Sequence, residues 1–186
     1  MASSELAEAQ GDDDHGSDIS DDGFPVDECP ALMPSLSKKF SMVADVLREH
    51  PSIYARLKQE KTPSGVSFAR CVKPSFDTDG HPMIKTIGAV AGDEACYDTF
   101  RDIFDPVIGL RHPDYNFAAG HHTDLDWTKV STASMDPAGY HVVRVSVRLS
   151  RNLRGLHMLP ACSGNERREV EASLVRALEA VTSELQ

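Results

Sequence analysis

The first 28 residues contain no lysine and no arginine, yet ten of the chain's 29 acidic residues lie there. All 19 basic residues therefore fall in the remainder, matched by 19 acidic ones, and the formal charge of −10 belongs to the leader. A near-neutral body has no general attraction for nucleic acid or for an anionic membrane, so neither is expected as a partner. The leader also lacks the basic start and apolar run of a secretory signal, and the arginines of a mitochondrial transit peptide. No stretch is long and apolar enough to span a bilayer. These absences predict a cytoplasmic protein. Asp12, Asp13, Asp14, Asp18, Asp21 and Asp22 leave the leader little to bury, which predicts a disordered, solvated tail or a tail that docks a partner.

The four cysteines, Cys29, Cys71, Cys96 and Cys162, show no CxxC spacing. They read as reduced thiols rather than a metal cluster, with Cys71 and Cys96 as small buried side chains. Walker A, GxGxxG and GxSxG loops are absent, and no Ser/His/Asp order can be defended. His121 and His122 stand near Asp124 and Asp126, but the histidines are adjacent and no third ligand has a motif spacing. A polar surface connection is the reading preferred there. No metal ligand and no catalytic residue is assigned within the chain.

What the sequence does contain is first helical. Phe40, Val43, Ala44 and Leu47 fall at helical spacing, and Pro51 ends that segment or opens the next, marked by Ile53 and Leu57. A third short helix is predicted over 67–72. Residues 73–92 hold Pro74, Gly80, Pro82, Gly88 and Gly92 and read as an irregular loop. Asp93 is suited to cap the next helix. Tyr97, Phe100, Ile103, Phe104, Val107 and Ile108 give that helix its buried stripe, with Pro106 interrupting or restarting it. Residues 109–139 read as a long connection.

The pattern changes at Tyr140. Val143, Val145, Val147 and Leu149 alternate with Arg144, Ser146 and Arg148, as in a strand. Ser163 and Glu166 have capping-box spacing. Val170, Leu174, Ala177, Leu178, Val181 and Leu185 then line one face of a final helix. One strand and one helix make no independent sheet, so this apolar face wants partners. Arg144, Arg148, Arg151 and Arg154 are the strongest chemical signal. Guanidinium groups on a fixed scaffold suit phosphate, although ordinary surface arginines on a strand edge would give the same spacing.

The stretch GHPMIKTIGAVAGDEACYDTFRDIFDPVIGLRH resembles the N-terminal helical domain of creatine kinase-like phosphagen kinases. The motifs that carry the resemblance are Gly80-His81-Pro82, Ala91-Gly92-Asp93-Glu94, Phe104-Asp105-Pro106-Val107-Ile108, His122-Thr123-Asp124-Leu125-Asp126 and Arg154-Gly155-Leu156. The block PACSGNERREVE is similar to the mitochondrial-type members in particular. In register, the resemblance runs over about 40–178.

It implies an α+β fold in which a small all-α domain precedes an antiparallel-sheet catalytic domain. The expected division is an acidic leader over 1–35, the helical domain over 36–122, a linker over 123–139, and over 140–186 the first strand and helix of the catalytic domain. It also implies reversible transfer of the γ-phosphoryl of Mg-ATP to a guanidino substrate such as creatine, a reaction governed by alignment and charge neutralisation. Pro74, Ser75, Phe76, Asp77 and His81 match the loop that closes over the guanidino substrate. The family usually has Thr-Gly-Val-Asp where the chain has Pro74-Ser75-Phe76-Asp77, and Phe76 in place of valine would narrow an apolar pocket. Arg148 matches one of two arginines that grip ATP phosphates. Ser146 stands at the other, with Arg144 one step away on the same strand face. The family's catalytic carboxylate, reactive cysteine and remaining phosphate arginines have no counterpart among residues 1–186. The expectation is a phosphagen kinase's N-terminal half, inactive alone and acting only with a C-terminal half, with a homodimer or a C-terminal half supplied in trans as its protein partner. The alternative is a non-enzymatic binding or dimerisation module derived from such a kinase.

Overall fold

The computed structural model describes residues 23–119 and 123–181. The expectations for the acidic run before Gly23, for His121 and His122, and for Leu185 lie outside the described residues. Helix α1 (Met42–Glu49) starts where Ser41 Oγ accepts the Ala44 N–H, and it buries Val43, Ala44, Val46 and Leu47. A short helix α2 (Ser52–Leu57) buries Ile53, Tyr54 and Leu57. Helix α3 (Phe68–Asp77) is capped in the same way by Ser67 and buries Phe68, Ala69, Cys71, Val72, Ser75 and Phe76. Helix α1 packs against α2, α3 and α5 (Arg101–Arg111), with the short α4 (Cys96–Thr99) against α5.

Three expectations change here. Helix α3 runs through Pro74 to Asp77 instead of ending at Val72. Proline removes one helical donor, but the inward faces of Ser75 and Phe76 hold the last turn in place. The second change is at 93–111, where the break falls at Phe100 and Pro106 lies inside α5. Phe100 is fully buried and caps α5 from a non-helical conformation, so packing sets the break. Tyr97, expected in the buried stripe, is half exposed and lies with its ring 5.1 Å from that of Phe104.

The third change concerns the leader. Phe24 is fully buried and stacks on Phe76 with ring centroids 4.3 Å apart. The chain around it is fastened by backbone carbonyls: Val26 O accepts Ser67 Oγ, Pro30 O accepts the Tyr54 hydroxyl, and Ala31 O accepts Lys58 Nζ. Residues 24–36 thus form part of the domain, although the composition of their N-terminal neighbours reads as tail.

The second part of the chain is extended over the surface. A single 3-10 turn, Trp127–Lys129, interrupts the connection, and Asp126 caps it by accepting the Thr128 N–H. Residues 142–150, expected as a strand, have no neighbouring strand among the described residues, and their apolar side chains, Val143 and Val147 among them, lie open to solvent. A strand's backbone groups need a partner ladder, and none is present in the described residues. Helix α6 (Gly164–Val181) forms as expected. Ser163 and Glu166 exchange hydrogen bonds at its start, Ser163 N to Glu166 Oε2 at 2.8 Å and Glu166 N to Ser163 Oγ at 3.2 Å. None of its residues is buried, so its apolar face is uncovered too.

Candidate functional site

The site is built on the loop that follows α3. Residues 78–87 leave the core and return along the N-terminal end of α1. Phe40 N donates to Asp79 O at 2.7 Å, Met42 N to Thr86 O at 2.9 Å, and Val43 N to Ile87 O at 3.2 Å. Lys39 Nζ pairs with Asp79 at 2.5 Å, and Lys85 on the loop pairs with Asp45 on α1. Burial tends to raise the Asp45 carboxyl, but hydrogen bonds from Lys85 and Arg48 outweigh it and hold the group below its usual range. Gly88 closes the base of the loop. Its φ is +78°, and a Cβ there would come within 2.7 Å of Ser41, so only glycine fits.

The loop's tip is free of these ties. His81, Pro82, Met83 and Ile84 are all exposed, Met83 by 88% and Ile84 by 71%. Within the tip, His81 Nδ1 accepts the Met83 N–H at 3.2 Å and Ile84 N donates to His81 O at 3.0 Å. This is a fixed base carrying an apolar tip.

The residues singled out for this loop divide. His81 lies at the tip, and Asp77 is exposed at the end of α3, where it accepts the Phe24 N–H at 2.7 Å and pairs with Lys73 at 2.8 Å. Pro74, Ser75 and Phe76 are helical instead of looped. Ser75 Oγ meets Ser41 Oγ at 2.6 Å inside the protein, and Phe76 is fully buried against Phe24. The expectation that Phe76 narrows a substrate pocket is therefore corrected: in this structure its ring fills the core.

The phosphate candidates are not gathered. Arg144, Ser146 and Arg148 all lie on the exposed 142–150 segment, and none has a hydrogen-bond or ion-pair partner among the described residues. As donors the two guanidiniums suit phosphate. Among the described residues there is no group of three or more His, Cys, Asp or Glu placed to hold a metal ion.

A second feature was not legible in the sequence. Residues 153–163 dock on the helical domain. Met158 N donates to Gly92 O at 2.8 Å and Arg70 Nη1 to Pro160 O at 2.9 Å, while Ala161 packs against the core. A Cβ on Gly92 would fall 2.7 Å from Val66 and 2.9 Å from Ala161, so this contact also requires glycine. Between the two parts lies a cleft of about 380 Å³, lined by Ser64, Asp93, Glu94, Arg154 and His157 among others. The buried carboxylate of Asp93 takes the Cys96 N–H at 2.9 Å, as expected of a cap, and also the hydroxyls of Thr62 and Ser64. Burial pushes its carboxyl up, but these hydrogen bonds prevail and lower it. No spacing rule links His157 to Ser64, 93 residues away, so the contact had no sequence signal.

A small helical domain that presents a stapled loop, with a following segment strapped across it, is the class of object this defines. Residues 37–109 match the family described as ATP:guanido phosphotransferase, N-terminal domain, and this part of the chain has the helical fold of a phosphagen kinase N-terminal domain. The chain is 40% identical over 152 residues to creatine kinase M-type of Gallus gallus, covering 81% of this chain and 39% of that protein. The crystal structure of a lombricine kinase superposes with a TM-score of 0.57 and 29% identity over 76% of this chain and 37% of that one. The chain thus spans less than two-fifths of the length of these relatives. The expected leaning towards mitochondrial-type members finds no support in this relative, which is M-type.

Proposed function

We propose that the chain supplies the guanidino-substrate side, and part of the ATP-phosphate side, of a creatine kinase-like phosphagen kinase. The observation that carries this reading is the loop 78–87, fixed at its base to α1 and presenting His81 to Ile84 outward, within a domain matched to that family. Such a tip can close over a small substrate, exclude water and leave alignment to the rigid domain behind it. Arg148, assisted by Arg144, would contact ATP phosphates once the 142–150 segment is paired into a sheet. When bound, Mg-ATP supplies the γ-phosphoryl group and the charge that these guanidiniums neutralise.

The sheet would be completed by further polypeptide, in cis, in trans or from a second copy. Support comes from the open apolar side chains of 143–149 and from Leu174 and Val175 of α6. The reading entails a cytoplasmic enzyme in which residues 1–186 alone perform no turnover. Its test is the His81→Ala variant assayed with a complementing C-terminal kinase segment. A rise of about tenfold in KM for the guanidino substrate, with KM for Mg-ATP unchanged, is expected if the tip binds that substrate. Equal KM values for both proteins would reject the assignment.

One observation favours a second reading. Ser146 stands where the family resemblance places a phosphate arginine, and it brings no charge. A chain retained as a non-enzymatic binding or dimerisation module would tolerate that change. Mg-ATP binding that is unaffected by Arg144→Ala and Arg148→Ala in the complemented protein would support this alternative.

A further inference from the structure

The two limbs of the loop 78–87 are held by ion pairs of opposite sense, and one arginine joins them. On the outgoing limb the loop supplies the acid, Asp79, and the domain supplies the cation, Lys39. On the returning limb the loop supplies the cation, Lys85, and α1 supplies the acid, Asp45. Arg48 stands between the pairs. Its Nη2 donates to Asp45 Oδ1, while its Nη1 donates to Leu36 O at 2.7 Å and to Lys39 O at 2.9 Å. Lys85, Asp45, Arg48, Lys39 and Asp79 thus make one chain of contacts that crosses from limb to limb. The Phe40 backbone runs between the limbs, donating to Asp79 O at 2.7 Å and accepting the Thr86 N–H at 3.4 Å.

We infer that Lys85 and Arg48 are positioning residues of this loop, acting through Asp45 to set the register in which the loop returns along α1 and so where the His81–Ile84 tip stands. The effect on substrate rests on the function proposed for that tip. An isolated exposed ion pair holds little, but a connected set holds more than its separate pairs. The members on the domain are also sheltered: the Lys39 side chain is 14% exposed and that of Asp45 27%. Polarity then selects one register. Backbone pairing alone repeats every two residues and does not distinguish a slipped loop from the native one. A slip that carried Lys85 towards Lys39, or Asp79 towards Asp45, would oppose like charges. The tip's own hydrogen bonds, from Met83 N–H to His81 Nδ1 and from Ile84 N–H to His81 O, are internal, so its position is inherited from the limbs.

The first arm of the test uses the whole 186-residue chain. Hydrogen exchange is followed at the Phe40, Met42 and Thr86 amides, with amides of α3 and α5 as the control for global unfolding. Lys85→Met keeps the length of the side chain and removes its charge, and Arg48→Gln removes the arginine fork. Each is expected to speed exchange at Met42 and Thr86 about threefold and to leave the controls unchanged. Lys85→Arg is expected to keep wild-type exchange. Raising the salt to about 1 M should speed the wild-type chain in the same way and add nothing in Lys85→Met. Wild-type exchange in both variants, or a failure of Lys85→Arg to retain it, would overturn the network. The second arm assays the same variants with a complementing C-terminal kinase segment. The expected result for Lys85→Met is a rise of about threefold in KM for the guanidino substrate, with KM for Mg-ATP unchanged and Lys85→Arg at the wild-type value. Faster exchange with an unchanged guanidino KM would overturn the positioning role, whereas an unchanged KM in His81→Ala would remove the reading of the tip on which that role rests. Absence of turnover in the complemented wild-type protein would remove it as well.

Discussion

At the residue scale, one aromatic pair fastens the start of the chain. Phe24 and Phe76 are fully buried and stacked, so removing either ring deletes a large apolar surface and leaves a cavity. Phe24→Ala is expected to destabilise the domain by about 3 kcal/mol in urea unfolding. A loss below about 1 kcal/mol would mean that this segment is not part of the cooperative unit. Cys71 and Cys96, buried with their sulfurs 3.7 Å apart, act as a small packed thiol pair. The hydrogen bond to Cys96 and burial push the Cys71 thiol up, so it stays protonated and unreactive at neutral pH. Two carboxylates give the protein an acid limit. Glu166 is lowered to about 2, first by the Ser163 backbone N–H and then by the Ser163 and His157 side chains. Asp93 is lowered by its hydrogen bonds against burial. A depressed folded pKa stabilises above the ordinary carboxylate value and loses that contribution as pH falls through the folded one. Stability should therefore decline from about pH 5 towards pH 2, and Glu166→Gln should flatten part of the decline in urea midpoints measured across that range. Unchanged slopes in the variant would contradict the assignment.

At the element scale, the loop 78–87 depends on its base. Gly88→Ala places a methyl against Ser41 at a backbone conformation that disfavours it. The expected outcome is faster amide exchange in 79–87 with α5 unaffected; identical exchange would show that the loop needs no such hinge. Ser163→Ala removes half of the reciprocal cap on α6 and should cost about 1 kcal/mol of local helix stability. How legible these elements were depends on how local their causes are. The caps at Asp93 and Ser163, the helical stripe of α1 and the buried Cys71 and Cys96 were readable, because each follows from residues within one or two turns. The end of α3 was not. Pro74 and the glycines beyond it signalled a loop, while the force that keeps Phe76 helical is its contact with Phe24, 52 positions away in sequence. Of the residues named for the substrate loop, His81 lies at its exposed tip, but the ties of that loop to Phe40, Met42 and Val43 are long-range pairings that no spacing shows.

At the scale of the whole molecule, two regions differ in character. Residues 24–111 enclose a continuous core from Phe24 to Val107, while 123–151 and α6 bury almost nothing. No described helix is long and apolar enough to cross a membrane. The central claim is that this chain holds the guanidino-loop side of a phosphagen kinase and that further polypeptide completes the sheet. The most direct measurement is steady-state phosphoryl transfer from Mg-ATP to a panel of guanidino compounds, with the purified chain alone and then with a separately produced C-terminal segment of a creatine kinase. The account predicts no turnover from the chain alone, and turnover together with a stable complex once the segment is added. Turnover by the chain alone, or failure of the two polypeptides to associate, would contradict it.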